Sequence, residues 1–416
     1  MQMPDTDISV VGGGIVGICC ALSLQQAGFK VCLIDREGIG EGCSRGNAGH
    51  FATEQVLPLA TPGLLWKIPG MLMDPLGPVA IRWPYLPQIT PWLLRFMLNT
   101  RSKPFNIGAQ ALEALNTASL PAWKRLLNGT GEENQIKIDG SLLTFEQDAT
   151  FQQYRHTTLE KLGHHNVKSE ILSGDQARDL EPGLSSTIRH AVMFPDTGHT
   201  ANPYRLAKSL GELFQRQGGR IIQKEISNLK AVQNGINLTL NGQQVQTPRL
   251  VIATGAWSKP LVHQLTGISV PLDTERGYHL MLPNSATSLS IPVTSAERRF
   301  IMTPMNEGLR LAGTVEFGGL KLPANMRRAT MLASHAHALL PGLEDSAGTT
   351  WMGFRPSLPD SLPVIDQVGT SNQIILAFGH QHLGLTQAAV TGELVRQLAL
   401  KEKPSLDLTP FRLNRF

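Results

Sequence analysis

The 416-residue chain is poor in cysteine, with only Cys19, Cys20, Cys32 and Cys43. These make neither a C-x-x-C pair nor a Cys/His zinc spacing, so no metal site is expected. Three of them fall on the first helix and second strand, where a free thiol acts as a small buried hydrophobe; Cys43 lies in a glycine-rich loop, and an unmodified thiol there is favoured over a covalent cofactor link. Nowhere do about 20 apolar residues run uninterrupted, and the apolar stretch at 8–24 is broken by Gly12, Gly13 and Gly14, so no membrane-spanning helix is expected. Charge of one sign is missing as well. With 37 Lys plus Arg against 33 Asp plus Glu, scattered along the chain, a nucleic-acid partner is not expected. There is no internal repeat, no low-complexity tract and no basic n-region with a cleavage site, which points to the cytoplasm. The length exceeds a typical single domain, so a nucleotide-binding domain with a second domain of similar size is expected.

What is present starts at residue 8. ISVVGGGIVGICCALSLQQAGFKVCLID is an apolar strand, a glycine turn, an apolar helix, a second strand and a carboxylate. Gly12, Gly14 and Gly17 match G-x-G-x-x-G, which serves a tight turn, close approach of backbone to a pyrophosphate, and close packing of helix on strand. The N–H groups that open the helix face the phosphates, and Asp35, about 20 residues on, is placed for the ribose hydroxyls. The motif by itself does not choose between NAD and FAD.

Farther along, residues 56–98 are crowded with Pro, Leu and Met around Trp66, Trp83 and Trp92, with Lys67, Arg82 and Arg95 among them. Such a stretch suits a membrane surface or an entrance lid, and buried packing between domains is the competing reading. Amphipathic helices are expected at 106–128 and 150–163. Asn202 caps a helix that starts at Pro203 and ends at Gly218 and Gly219, with Leu206, Leu210 and Leu213 on one face. Strands follow at 220–226, 228–232, 236–240 and 243–247, and RLVIATGAWS gives a buried strand that ends at Gly255. Between about 266 and 345 the strands RGYHLMLP, RRFIMTP and LRLAGTVEFGG alternate as an antiparallel sheet does. WMGFRPSLPDSLPVID, the strand NQIILAFG and the loop GHQHLGL then lead into an apolar helix, a second strand, glycine loop and helix whose N-terminus would stabilise negative charge.

Together, GGGIVG with Asp35, CSRGNAG at 43–49, PVAIR, RGYHL, WMGFRP and GHQHLGLT resemble the D-amino-acid oxidase superfamily of FAD enzymes, in particular its bacterial D-amino-acid dehydrogenases. The likeness runs nearly end to end. It implies an α/β fold: a doubly wound, Rossmann-like FAD-binding domain in three parts (1–55, 196–265 and 349–416) and a discontinuous antiparallel-sheet substrate domain (56–195 and 266–348). It also implies FAD as cofactor, with Gly12, Gly14, Ile15, Val16, Gly17, Asp35 and Arg36 on the adenosine diphosphate half. Ser44, Asn47, Ala48 and Gly49 would flank the isoalloxazine, with Gly255, Gly379, His380, Gly384, Leu385 and Thr386 on the remaining strand ends and last loop. Two departures stand out: Asp35 takes a place where Glu is common, and Gln381 and His382 replace small residues of the last loop.

The chemistry implied is hydride loss from the α carbon of an amino acid to flavin N5, leaving an imine that hydrolyses. Arg355 is the expected bidentate anchor of the substrate carboxylate and Tyr278 its phenolic partner, against an ion pair with Asp360 or Asp366 for the first and an ordinary sheet tyrosine for the second. Arg276 is a weaker second anchor. His50, His382 and His380 are the candidates for taking the ammonium proton, although desolvation alone can deprotonate an amine. Substrates would be D-amino acids, including cyclic imino acids such as D-proline or its hydroxylated form, with a quinone or another carrier taking the electrons and peripheral membrane contact as a partner surface. A glycine- or sarcosine-like secondary-amine oxidase using oxygen and a flavin-binding accessory subunit are the alternatives.

Overall fold

A computed structural model describes residues 5–62, 77, 79–283, 289–344, 347–369 and 371–416. Trp66 and Lys67 of the tryptophan-rich segment therefore lie outside the described residues. The apolar strands at the two ends of the chain come together in a six-stranded sheet, in the order Val364–Val368, Ile374–Phe378, Arg249–Ile252, Ile8–Val11, Val31–Asp35 and Arg220–Gln223. All neighbours in it run parallel except the first pair. A parallel sheet needs both faces covered, and its central strands are accordingly buried but for Arg249 at the start of one.

One face is covered by the first helix (Ile15–Gln26), the helix Pro203–Arg216 and the last helix (Gly384–Leu400), whose apolar residues join a single core. The first and last helices pack close: a Cβ on Gly392 would stand 2.7 Å from the carbonyl oxygen of Cys19. The helix Ser102–Leu127 belongs to this core through Leu112, Leu115 and Trp123, although the expected domain limits put it with the substrate domain. The reason is sidedness, since its apolar stripe meets the last helix, and Trp123 donates its indole N–H to the carbonyls of Leu385 and Thr386. It also starts four residues before the expected 106.

The second large sheet runs Thr349–Ser357, Asp273–Pro283, Gly308–Phe317, Phe300–Met305, Val293–Ser295, Ser141–Phe145, His190–Phe194 and Glu170–Ser173, with Val79–Ile81 pairing to Gly308–Phe317 from the side. The three strands expected between 266 and 345 are antiparallel neighbours in it. The strand Thr349–Ser357, grouped by sequence with the nucleotide domain, is instead the edge of this sheet. The helices Arg327–Thr330 and Leu332–Leu339 had no counterpart in the sequence reading; they cover the sheet face that carries Leu280, Leu282 and Leu311.

Other departures are local. The expected strand 220–226 breaks after Gln223, and Ile226–Val232 turns into a separate antiparallel meander with Gly235–Leu240 and Gln243–Thr247. The helix expected at 150–163 runs as Asp148–Tyr154 and Glu160–His164 with one wide π turn, Arg155–Leu159, between them.

Two glycines of this fold differ sharply in what a side chain would meet. A Cβ on Gly17 would lie 1.9 Å from the backbone oxygen of Gly12, an atom that cannot yield, whereas a Cβ on Gly163 meets nothing within 4 Å. Gly17→Ala is therefore expected to lower the unfolding free energy by about 3 kcal/mol, and Gly163→Ala, within a helix, to raise it by up to about 1 kcal/mol. Urea unfolding midpoints of the two variants check the pair; equal midpoints would refute this account of the turn.

Candidate functional site

The two glycine turns, far apart in sequence, open onto one cavity of about 460 Å³. From the first come Gly12, Gly14, Ile15 and Val16, then Asp35, Arg36, Ser44 and Asn47; from strand ends and the last loop come Gly255, Gly379, His380, Gly384 and Leu385. Gly12 adopts φ +109°, and a Cβ there would collide with Ala253 O at 2.3 Å, so the first turn and the Arg249–Ile252 strand touch backbone to backbone. Four residues expected at the cofactor do not line the cavity. Gly17 packs behind the turn, Thr386 accepts from the amide of Ala52, and Ala48 and Gly49 lie beyond Asn47, where a Cβ on Gly49 would meet Thr200 O.

The residues present fit a dinucleotide such as FAD. Gly14 offers no side-chain cap and the first turn holds no acid; Ile15 N donates to Ser44 Oγ at 2.9 Å, and the next amides and the positive end of the helix are left for an anion. The last helix opens in the same uncapped way. Asp35 is tied to backbone: Oδ2 accepts from Gly13 N at 2.7 Å and Oδ1 from Glu37 N at 2.7 Å and Gly38 N at 2.9 Å. The shorter acid thus braces the phosphate turn while keeping its place on the cavity wall. At that end the Arg36 guanidinium stacks 4.3 Å above the Trp257 ring. Cys43 lines the cavity too, but burial pushes its thiol up to about 11, which makes it a poor nucleophile for a covalent link.

Phe354 and Pro356 of the large sheet line this cavity, and strand alternation puts Arg355 on the other face of their strand, the face from which His279 and Arg310 bond the loop of the cavity residue Asn47. Arg355 pairs with Glu275 in register, Gly353 with Gly277 and Trp351 with His279. The Arg355 guanidinium lies over Gly277, where a Cβ would come within 2.3 Å of its Cζ. Among the described residues it has no ion pair, only a long 3.4 Å bond to Thr314 O. Asp360 is held by Arg415 at 2.7 Å, and Asp366 accepts from the amides of Leu413 and Gln367, so neither expected competitor claims it. Thr314, beside it, is an extra residue bulged out of its strand with φ +57°, a strained conformation for a β-branched side chain.

Tyr278 falls on the opposite face, and the structure does not bring it to Arg355. It pairs with Met352, and its hydroxyl donates to Glu316 at 2.8 Å while accepting from Asn325 N at 3.2 Å. Arg276 shares that far face; wholly buried, it bonds Glu316 and the carbonyls of Gly318, Gly319, Leu322 and Pro323, which makes it a clamp on a loop. The residue that does share the Arg355 face is His279, next to Tyr278. It stacks on Trp351 with centroids 5.2 Å apart and bonds the carbonyl of Gly46 at 3.0 Å. Gly46 must be glycine, because a Cβ would enter the Trp351 ring at 2.1 Å. Arg310, also on this face, donates to Asn47 O at 2.6 Å and so fixes the same loop. Sequence reasoning missed His279, Trp351 and Arg310, yet counting in twos from Arg355 along its own strand reaches Trp351.

The three histidine candidates differ. Both ring nitrogens of His50 face acceptors, Gly198 O and Glu54 Oε1, each at 3.2 Å, and its side chain is 7% exposed, so no nitrogen is left to receive a substrate proton. His380 is buried against the Thr391 hydroxyl, and burial holds it down to about 3. His382 bonds the Gln55 side-chain oxygen through Nε2, which leaves Nδ1 as a lone-pair acceptor; burial and then the Arg355 charge lower it to about 4.

The comparisons with known proteins agree with one another. The model of the family described as FAD dependent oxidoreductase matches residues 7–398. A D-amino-acid oxidase of Bradyrhizobium diazoefficiens is 34% identical over 98% of both chains, and a D-amino acid dehydrogenase of Vibrio vulnificus is 26% identical over 95% of this chain and 96% of its own. Among solved structures, an L-proline dehydrogenase from P. horikoshii superimposes with a TM-score of 0.75 at 19% identity, covering 100% of this chain and 99% of that one. A glycine oxidase from Geobacillus kaustophilus gives 0.73 at 21%, covering 99% of each. At such identities these two likenesses show the fold alone.

The buried histidines carry a pH dependence. His279 and His382 are lowered to about 4 and His380 to about 3, all chiefly by burial, from an ordinary value of 6.5. As pH falls below 6.5 the unfolded chain takes up these protons before the folded one, so stability declines between about pH 6.5 and 4, by up to about 1.4 kcal/mol per pH unit for each ring. His380→Asn should flatten that slope in urea melts taken across this range. A slope unchanged by the substitution would refute the burial account.

Proposed function

Because the chain belongs to the family of FAD-dependent oxidoreductases, we propose that it oxidises D-amino acids, cyclic imino acids included, and passes the electrons to a quinone or another carrier. One observation carries the reading: Arg355, which among the described residues makes no ion pair and only a long bond to Thr314 O, shares a sheet face with His279 and Arg310, which hold the Gly46–Asn47 loop at the dinucleotide cavity. When bound, FAD accepts the hydride lost from the α carbon, which converts the amino acid to an imine that water hydrolyses to a 2-oxo acid and ammonia. Gly12, Gly14 and the amides opening the first helix would hold its pyrophosphate, Asp35 and Arg36 its adenosine end, and Ser44, Asn47 and the last glycine loop its ring end.

The protein's own part is orientation. Arg355 presents a planar fork that receives the α-carboxylate with two parallel bonds, and Gly277 leaves room for it. The Trp351 and His279 stack, locked to Gly46, forms a rigid wall beside it. The amine must be neutral to lose hydride. His382, held neutral by burial and by Arg355, offers Nδ1 as an acceptor that orients the amine and does not store its proton at neutral pH. Desolvation and the guanidinium charge then favour the neutral amine. The glycine loops stand on the six-stranded sheet and Arg355 on the edge of the large antiparallel one, although the division expected from sequence grouped both with the nucleotide domain.

The acceptor side has its own support in the relatives named D-amino acid dehydrogenase and in a surface of this chain. Trp83 is 80% exposed, and Leu94 and Leu98 on the helix Leu86–Asn99 are 52% and 51% exposed. Exposed Arg95, Arg101 and Lys103 adjoin them, and no acid occurs between residues 82 and 112. Apolar anchors beside unopposed cations suit an anionic lipid surface, where a quinone would be met.

Two outcomes are expected. Arg355→Lys should keep the flavin absorbance and lower kcat/KM for D-alanine by roughly 100-fold, in line with about 3 kcal/mol for a lost bidentate ionic bond; anaerobic bleaching of the flavin measures it, and an unchanged rate would refute the anchor. Vesicles with anionic lipid should sediment the protein while neutral vesicles do not, and Trp83→Ala should weaken that binding; equal sedimentation with both lipids would remove the membrane reading.

A further inference from the structure

A second cavity, of about 190 Å³, lies on the same face of the large sheet as Arg355. The register shows the continuity. Leu143 pairs with Thr294, Thr294 with Ile301, Ile301 with Ala312, Ala312 with His279 and His279 with Trp351, which makes one row of side chains across the sheet. At about 4.8 Å per strand, Thr294 stands some three steps, or about 14 Å, from His279. Leu143 and Thr294 line the cavity at the far end of this row, and Arg355 overhangs Gly277 at the near end.

Glu54 and Gln55 line this cavity as well. Gln55 bonds His382, whose proton affinity is lowered by burial and then by the charge of Arg355, so the cavity residue Gln55 adjoins the surroundings of the anchor. The walls beyond are apolar, with Leu57, Leu162 and Phe194. Glu54 gives one oxygen to His50, and its other oxygen, Oε2, is buried without any partner. An acceptor buried and unanswered costs stability unless something fills it.

We propose that this cavity receives the side chain of a D-amino acid that ends in a cation, lysine-like or arginine-like, with Glu54 Oε2 accepting from the ammonium or guanidinium and Gln55 turning aside to admit the methylenes. The inference deepens the reading of the active site and rests on it. The α-carboxylate at Arg355 fixes one end of the substrate, the leucines suit its aliphatic stem, and the free carboxylate oxygen answers its charge. A neutral side chain of the same length leaves that oxygen unpaired, which is the origin of the selectivity.

The test compares D-alanine, D-norleucine, D-lysine and D-arginine as reductants of the flavin in the intact protein under anaerobic conditions. D-Lysine or D-arginine should exceed D-norleucine in kcat/KM by at least about 10-fold, the scale of one charge-assisted bond. Glu54→Gln should bring that ratio to about 1 whatever it does to the absolute rate, since the same protein is used for both substrates. Leu143→Phe, which fills the cavity, should lower the long substrates at least about 10-fold against D-alanine. If Leu143→Phe fails to fold, the Glu54→Gln ratio decides alone. D-Alanine turnover with no preference for cations, or a preference that survives Glu54→Gln, overturns the cavity assignment and leaves the function standing. No bleaching by any D-amino acid overturns both.

Discussion

Everything in this molecule depends on one close approach of backbone to backbone. Gly12 sits against Ala253, and Gly17 against Gly12, at distances no side chain tolerates, so the first helix is drawn tightly onto the sheet and its N-terminus is aimed into the cavity. Gly392 repeats the device between the last helix and the first, which brings the second glycine loop to the same opening. Two turns separated by most of the sequence can face one dinucleotide only because these contacts leave no slack between the helices. The pocket is thus a by-product of packing, and its two uncapped helix ends supply fixed partial charge without any mobile side chain.

The nucleotide half of this arrangement was legible in the sequence because its signal is local: strand, turn, helix, strand and acid within a few dozen residues, each requirement tied to a fixed spacing. The substrate half was less so. RGYHL advertised a tyrosine and WMGFRP an arginine, and their pairing is a matter of register between two strands far apart in the chain. Glu275 opposite Arg355 puts Tyr278 on the back of the sheet and His279 on the front. A one-residue difference in register exchanges the two faces, and nothing in either segment alone fixes it. The helices Arg327–Thr330 and Leu332–Leu339 were missed for a related reason: short and half-buried, they owe their existence to the apolar face they cover.

Three arginines of the large sheet show how the sequence disguises role. Arg276, wholly buried, spends its donors on Glu316 and four carbonyls, so its charge is answered and its work is to hold the loop 318–323. Arg310 is buried with a bond to Asn47 O and an Nε without a partner, and burial lowers its proton affinity to about 10. Arg355, half-buried, has the least local satisfaction of the three, with one long bond and no ion pair among the described residues. Composition and spacing cannot separate these cases. The difference lies in which partners the fold has already supplied, and in the proposed reading the least satisfied cation is the one that takes a carboxylate from outside.

The same reasoning orders the histidines. His50 has spent both nitrogens on acceptors, and in doing so it pins Glu54 by a single oxygen. His382 is kept neutral by burial and by Arg355, and its bond to Gln55 orients the ring. Neither is a free base, so in the proposed reading the protonation state of a bound amine is set by its surroundings, the guanidinium of Arg355 and the wall of Trp351 and His279. A site built this way gains a consequence for selectivity. The cation at Arg355 and the carboxylate at Glu54 both act on His382, one lowering and the other raising its proton affinity, and in the proposed reading a substrate long enough to touch both meets opposite charges at its two ends, in the order that an amino acid with a cationic side chain presents them.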